Sequence, residues 1–373
     1  MKTKVIKVDP ARIDLALVKE AAKLVDAGGI VAFPTETVYG LACRVESNSL
    51  ARLDDVKGRG REKHYTLHIA DKADVGKYVP SVGLRAAKLI TKGWPGPLTI
   101  VFELGVGQIQ KQRSRVHREL FKHLYKDNSI GIRCPDNRVA QVLLQQADSS
   151  VVAPSANRTG QQPAADPNTV LARLSGQIEL LLDAGPCKYK KSSTVVKIGK
   201  KGLTVLRPGV YSQAEVQEMS EVKFLFVCTG NSCRSPMAEG MFQKYLAKKL
   251  QCKVDELGEM GYKAISAGVM GISGMPASAE AIAACAAKGI DIKAHRSTAL
   301  TAQLVEESDF IFAMDETHCE RIAAFGSDTA AKCVLLAENQ AIADPIGQPQ
   351  QIYNKCAELI EKAVKKRVNE LVL

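Results

Sequence analysis

The chain has no CxxC pair. Its ten cysteines stand apart at Cys43, Cys134, Cys187, Cys228, Cys233, Cys252, Cys285, Cys319, Cys333 and Cys356, which argues against a zinc site. At 373 residues it needs no disulfide scaffold, so reduced thiols and a cytoplasmic setting are expected. The longest apolar runs, such as Phe224–Cys228, are too short to cross a bilayer, and no membrane partner is expected. The first residues lack an apolar core followed by small residues, so no secretory signal is expected. GxxxxGK followed by Ser or Thr is missing, which rules out an ordinary P-loop. There is no obvious Ser-His-Asp or metal triad, no internal repeat and no low-complexity tract.

What is there describes globular protein: 46% hydrophobic and 24% charged residues, with length for two or three cores. The net charge of +11 is unevenly placed. Residues 1–212 hold 34 Lys and Arg against 19 Asp and Glu (+15), and residues 213–373 hold 17 against 21 (−4). A basic half suits a polyanion or nucleotide. Leu203 to Ser212 reads as a strand ended by Pro208-Gly209, and Val222 to Val227 as a fresh strand. The expected division is therefore 1–212, a polar, helix-prone linker at 213–221, and 222–373. Strand-like and helix-like segments alternate on both sides, so both domains are expected to be α/β. Ile13 to Ala27 has helical spacing and ends at Gly28-Gly29. In the second domain Ser235 to Leu250 is helical, with Met237, Met241, Phe242, Tyr245 and Leu246 on a core face.

Between the second domain's first strand and that helix lies Cys228, Thr229, Gly230, Asn231, Ser232, Cys233, Arg234, Ser235 and Pro236. A strand–loop–helix turns successive N–H groups toward one point at the positive end of a helix, a geometry that holds a phosphoryl dianion. Gly230 is expected to permit the tight backbone path and Arg234 to grip two phosphate oxygens. The same field is expected to lower the Cys228 pKa and favour the thiolate, which would attack phosphorus and form a phosphocysteine. Asp344, before Pro345, is the candidate acid for the leaving group.

These residues, with Ser266-Ala267-Gly268, Gly289 to Asp291, His295-Arg296-Ser297, Met314-Asp315 and Asp344-Pro345 in order, resemble the low-molecular-weight protein phosphatases. The resemblance implies a small parallel-sheet α/β domain that needs no cofactor and acts on phosphoprotein. It makes Cys228 the nucleophile, Arg234 the clamp, Asn231 and Ser235 tuners of the loop, and Asp344 the acid. Cys233 matches a family cysteine that pairs with the nucleophile under oxidation; a plain small loop residue is the alternative. Ser232 and Ile346 stand where tyrosine-directed members carry apolar and aromatic side chains, so phosphotyrosine and phosphoarginine both stay open. Arsenate-handling relatives share the loop, but the spacing of Cys319, Cys333 and Cys356 does not suit their shuttle.

In the first domain four segments stand out: Phe33 to Leu41, Lys57 to Lys63 before the strand-like Tyr65 to Ile69, Gly131 to Pro135, and Ala153 to Asn157. They supply hydroxyls, amides and guanidinium groups suited to a carboxylate and a polyphosphate. With Trp94 to Thr99, Ser193 to Val196 and Leu206 to Gly209 they resemble the YrdC family of threonylcarbamoyl-AMP synthases. That implies a twisted-sheet α/β domain joining L-threonine, bicarbonate and ATP, with loss of pyrophosphate, for threonylcarbamoyladenosine modification of tRNA. By position, Thr35, His68, Arg133 and Ser193 would contact threonine or its carbamate. Lys57, Arg59, Lys63, Ser129, Ser155, Asn157 and Arg207 would contact ATP, and Mg²⁺ would accompany the nucleotide. The chain departs from the family at Gly60, at His64-Tyr65 and over Gly160 to Ala164.

Gln108 to Asp127 is longer than the family's link and carries Lys111, Arg113, Arg115, Arg118, Lys122 and Lys126. It reads either as a solvated helix or as an arm for tRNA or double-stranded RNA. The rival to a bifunctional enzyme is accordingly an RNA-binding, non-catalytic first domain tethered to a phosphatase.

Overall fold

The computed structural model describes residues 2–60, 64–199, 202–338 and 340–371. The chain separates into two compact units, one of Met1–Val82 with Ala86–Ser220 and the other of Gly83–Arg85 with Glu221–Leu373.

Among the described residues the first unit holds ten strands: β1 (Lys4–Lys7), β2 (Val31–Phe33), β3 (Gly40–Arg44), β4 (Thr66–His68), β5 (Leu98–Glu103), β6 (Ser129–Arg133), β7 (Val151–Val152), β8 (Leu180–Asp183), β9 (Thr194–Gly199) and β10 (Gly202–Arg207). They form one mixed sheet in the order β1-β8-β2-β3-β7-β4-β6-β5-β9-β10. Its first helix, Leu15–Asp26, starts where Asp14 accepts from the Ala16 N–H and buries Val18, Ala21, Ala22 and Val25, one helical stripe. The helix Gln213–Ser220 occupies the stretch read as a linker, and its Val216 is buried in this unit's core.

The register across the middle of the sheet sets up a site. His68 on β4 faces Arg133 on β6, and Arg133 faces Thr99 on β5. Partnered residues on neighbouring strands lie on the same face of a pleated sheet, so these three side chains form one row.

The second unit holds β11 (Val222–Cys228), β12 (Tyr262–Gly268), β13 (Phe310–Ala313) and β14 (Cys333–Leu335) in the order β12-β11-β13-β14, all parallel. Alternation along β11 sends Phe224, Phe226 and Cys228 to the core shared with the helix Arg234–Leu250, and Leu225 and Val227 to the opposite core with Val305 and Ile322. Phe242 of that helix lies 4.6 Å from Phe224 and 5.3 Å from Phe226, ring centre to ring centre. Met237, Met241, Phe242 and Leu246 are fully buried as their spacing requires, and the helix stops at Gln251 in a left-handed conformation (φ 57°). The chain leaves β11 for β12 on one side and reaches β13 on the other. The carboxyl end of β11 is thus the point where strand order reverses, which in open parallel sheets is where ligands sit. Cys228 is the last residue of β11.

Candidate active sites

At the end of β11 the backbone curls so that Asn231 N–H donates to Cys228 Sγ at 3.2 Å, while Ser235 Oγ lies 2.9 Å from the same sulfur. The left-handed residue of the loop is Asn231 (φ 54°), and Gly230 has no positive φ. The role expected of Gly230 therefore falls to asparagine, a residue that tolerates this region because its side chain bonds locally. Asn231 Nδ2 donates to Ser235 Oγ and Ser266 Oγ, both at 2.8 Å, and its Oδ1 accepts from Thr298 N–H at 2.7 Å. Glycine matters instead at Gly268, where a Cβ would come within 2.8 Å of Thr229 O.

Arg234, 2% exposed, opens the helix. Its Nη2 donates to Thr229 Oγ1 at 2.9 Å and to Asp344 Oδ2; its Nη1 donates to Asp315 Oδ2 at 3.1 Å and to Ile342 O at 3.0 Å. His318 closes the ring: Nε2 lies 3.0 Å from Thr229 Oγ1 and Nδ1 lies 2.9 Å from Asp315 Oδ1. Neither Asp315 nor His318 was singled out as a site residue from sequence, although Asp315 stands in the Met314-Asp315 pair.

The balance on the Cys228 thiol differs from the sequence expectation. The residue is 2% exposed, and burial pushes its pKa up. The Ser235 hydrogen bonds, the Arg234 charge and the Asn231 N–H pull the other way without overcoming it. Removing a charge from water outweighs these partners. Ser232 and Cys233 complete the loop; Cys233 Sγ turns away toward Ser278 Oγ and Tyr353 OH, each at 3.4 Å.

In the first unit a cavity of about 410 Å³ is lined by Thr35, His68, Arg133, Ser193, Lys57, Arg59, Ser155, Asn157 and Arg207, nine of the residues expected there. Lys63 lies outside the described residues. Ser129 does not line the cavity. It begins β6 while Arg133 ends it, about 13 Å away at strand rise, and its hydroxyl donates to Lys126 O at 2.9 Å. The expectation that Ser129 contacts the nucleotide therefore finds no support in this geometry.

Lys57, at the C-terminal end of the helix Ser47–Lys57, donates to the backbone carbonyls of Ser155 and, at 2.8 Å, Asn157. The Lys-x-Arg pair Lys57 and Arg59 and the Ser-x-Asn pair Ser155 and Asn157, the two family signatures among the nucleotide contacts expected above, are thereby tied together. Arg59 Nε lies 2.8 Å from Asp54 Oδ1, and its guanidinium sits 4.2 Å over the Tyr65 ring, whose hydroxyl also donates to Asp54 at 2.6 Å. Arg133 Nη2 donates to Glu36 Oε1 at 2.8 Å and Thr37 Oγ1 at 2.7 Å. Thr37 Oγ1 in turn is 2.8 Å from Thr35 Oγ1. Ser193 Oγ lies 3.0 Å from Thr99 Oγ1 and accepts from Arg207 Nη2 at 3.1 Å. His68 is held neutral: burial first, then the Arg133 charge, pushes its pKa down to about 3. Glu36 and Thr99 were missed as site residues; both sit inside segments already singled out, Phe33 to Leu41 and Trp94 to Thr99.

The segment Gln108 to Asp127 folds into two helices, Val106–Arg115 and Arg118–Leu124. Lys111, Arg113, Arg115, Arg118 and Lys122 are exposed, and Arg113 lies 5.2 Å over the Phe121 ring.

Residues 23–209 match the Sua5–YciO–YrdC family model, described as telomere recombination. Residues 223–372 match the model for low molecular weight phosphotyrosine protein phosphatase. The threonylcarbamoyl-AMP synthase of Pyrococcus abyssi is 28% identical over 247 residues, covering 66% of this chain and 69% of that protein. The low molecular weight protein-tyrosine-phosphatase Etp of Escherichia coli K12 is 32% identical over 151 residues, 39% of this chain and 93% of that protein. A solved structure of a P. abyssi Sua5 variant superposes with a TM-score of 0.50 at 26% identity, covering 60% of this chain and 71% of that one. The chain therefore belongs to two families at once, the Sua5–YciO–YrdC family through its first unit and the low-molecular-weight phosphotyrosine protein phosphatase family through its second.

Proposed function

We propose that the chain is a bifunctional enzyme. Its first unit joins L-threonine, bicarbonate and ATP into threonylcarbamoyl-AMP for tRNA modification, and its second hydrolyses phosphoprotein through a phosphocysteine. In the first unit one observation carries the reading: the row of His68, Arg133 and Thr99 opens into a cavity whose other wall is the joined Lys-x-Arg and Ser-x-Asn signatures. Arg133 offers its guanidinium to the threonine carboxylate. Thr35 and Ser193 offer hydroxyls, and a neutral His68 can accept or donate one hydrogen bond. Lys57, Arg59, Lys63, Ser155, Asn157 and Arg207 hold the nucleotide by charge and position. Among the described residues no group of three or more His, Cys, Asp or Glu could cage a metal ion. Mg²⁺ therefore fits as the phosphates' own counter-ion, where it would screen their charge.

In the second unit Cys228 Sγ attacks phosphorus, Arg234 and the loop amides hold the equatorial oxygens, and Asp344 protonates the leaving group. The support is the cup itself, with Asn231 N–H on the sulfur and Arg234 beside it. The phosphoryl donor is phosphotyrosine or phosphoarginine. Comparing hydrolysis of the two phosphopeptides decides between them.

Mass-spectrometric analysis of the full chain with ATP, threonine and bicarbonate tests the first activity. Threonylcarbamoyl-AMP with pyrophosphate is the expected product. Silence under those conditions, with RNA bound, would favour the rival reading of a non-catalytic RNA-binding unit, for which the exposed basic helices are the surface.

A further inference from the structure

We propose that Cys319 and Cys333 form a redox-modification site: a two-electron oxidant of the peroxide class links them as a disulfide, and that bond acts on the cysteine cup through His318 and Asp315. The coupling to the cup rests on the phosphatase reading above; the disulfide itself does not.

The two thiols meet from different elements. Cys319 lies in the helix Glu316–Ala323, and Cys333 opens β14. Cys333 Sγ donates to Cys319 Sγ at 3.4 Å. Both are half-buried, against the apolar cluster of Ile311, Ala313 and Ile322. They are neither sealed in a core nor loose on the surface, and a small oxidant can reach them. A disulfide needs about 2.05 Å, so the sulfurs must close by about 1.4 Å. β14 is three residues long and among the described residues pairs on one side only, which leaves the edge free to shift.

The neighbours of Cys319 give the bond its consequence. Asp315 caps the same helix and pairs with Arg234. His318, adjacent to Cys319 in sequence, holds the Thr229 hydroxyl. A shift of that helix by about an ångström displaces two groups that position the clamp and the loop, and misplacements of this size cost up to about 100-fold in rate.

The sulfurs are not equivalent. Burial pushes both thiols up, and the hydrogen bond between them then lowers Cys319 and raises Cys333 further. Cys319 is accordingly the sulfur that attacks. Its thiolate takes one peroxide oxygen as the O–O bond breaks, leaving a sulfenic acid and hydroxide, which takes up the thiol proton as water. Cys333 sulfur attacks that sulfenic sulfur, the S–O bond breaks, and the second oxygen leaves as water with the Cys333 proton. Two thiols lose two electrons and one peroxide gains them.

The full chain is oxidised with hydrogen peroxide in saturating inorganic phosphate, which shields Cys228 in the cup. After desalting, one portion is digested without reductant for peptide mapping and another is assayed intact on p-nitrophenyl phosphate. A peptide pair linked through residues 319 and 333 is expected, with turnover lowered between about 3-fold and 100-fold and restored by dithiothreitol. The Cys333→Ser chain, treated alike, should show no linked pair and keep its untreated rate. Failure to find the linked pair overturns the modification site, and a linked pair with unchanged turnover overturns its coupling to the cup. An untreated chain with no turnover would count against the phosphatase reading and its coupling, while the peptide map would still decide the disulfide.

Discussion

Arg234 donates to Asp344 across 110 residues of chain, so the group expected to hold the phosphoryl oxygens and the group expected to protonate the leaving oxygen are one ion pair. On the proposed mechanism, an incoming phosphoryl group would compete with Asp344 for the guanidinium and so free the carboxyl to face the leaving group. Asp344→Asn should then lower kcat by about 10²- to 10⁴-fold. The loss should be larger for phenyl phosphate than for p-nitrophenyl phosphate, whose leaving group needs less help. Equal losses on the two substrates would remove Asp344 from the acid role. Cys228→Ser should cost roughly 10⁴-fold or more on both.

The raised Cys228 pKa has a direct chemical readout. Only the thiolate is alkylated. Iodoacetamide inactivation should therefore still accelerate as pH is raised past the ordinary thiol range, with no plateau near neutrality. A rate already level by pH 7 would show that the cup favours the thiolate after all.

Asn231 combines a left-handed backbone with three side-chain hydrogen bonds, two of them fully buried. Asn231→Ala should destabilise the second unit by about 2–4 kcal/mol, from strain and unpaired groups together. Asn231→Gly should recover the backbone share but not the polar share. Scanning calorimetry of the three chains orders them: parent, Gly, Ala.

The Arg133–Glu36 pair is buried on both sides. Arg133→Ala leaves Glu36 without its charged partner and should destabilise the first unit by about 3–5 kcal/mol, as well as abolish threonine binding. Glu36→Gln should be milder in stability. Urea unfolding followed through Trp94, the single tryptophan and 2% exposed in this unit, reads the first effect, and threonine calorimetry the second.

His68 has a folded-state pKa pushed down to about 3 against an ordinary 6.5. Between those values the unfolded chain binds a proton that the folded chain does not. Its contribution to stability is thus fully present above about pH 6.5 and is lost as pH falls toward 3, by up to about 1.4 kcal/mol per pH unit. His68→Gln should flatten this part of the slope in Trp94-monitored unfolding. An unchanged slope would mean the imidazole is charged in the fold.

Much of this was legible in the chain. The helix at Arg234–Leu250 and the strand before it follow from apolar spacing, and the cup at Cys228 is expected between them because the N-terminus of a helix after a strand turns N–H groups toward one point. Nine of the first unit's cavity residues were found from short segments whose order resembles a family. What stayed hidden depends on three-dimensional neighbours. Nothing local says that the left-handed turn falls on Asn231 rather than Gly230, since both residues tolerate it. The sign of the Cys228 shift required its burial, which is set by Phe224, Phe226 and the helix above them. Ser129 and Arg133 look alike as polar residues on one strand, yet four steps of extended chain put them about 13 Å apart.

If the row of His68, Arg133 and Thr99 holds substrate as proposed, catalysis becomes a gauge of correct assembly. These groups come from three strands whose order in the sheet, β4-β6-β5, differs from their order along the chain, and a slip of β6 by a single residue would send Arg133 through to the far side of the sheet. A molecule misassembled in this way would keep a hydrogen-bonded ladder and lose the substrate grip proposed for Arg133. Ligand binding in the first unit can therefore report on strand alignment that helix content or compactness alone would miss.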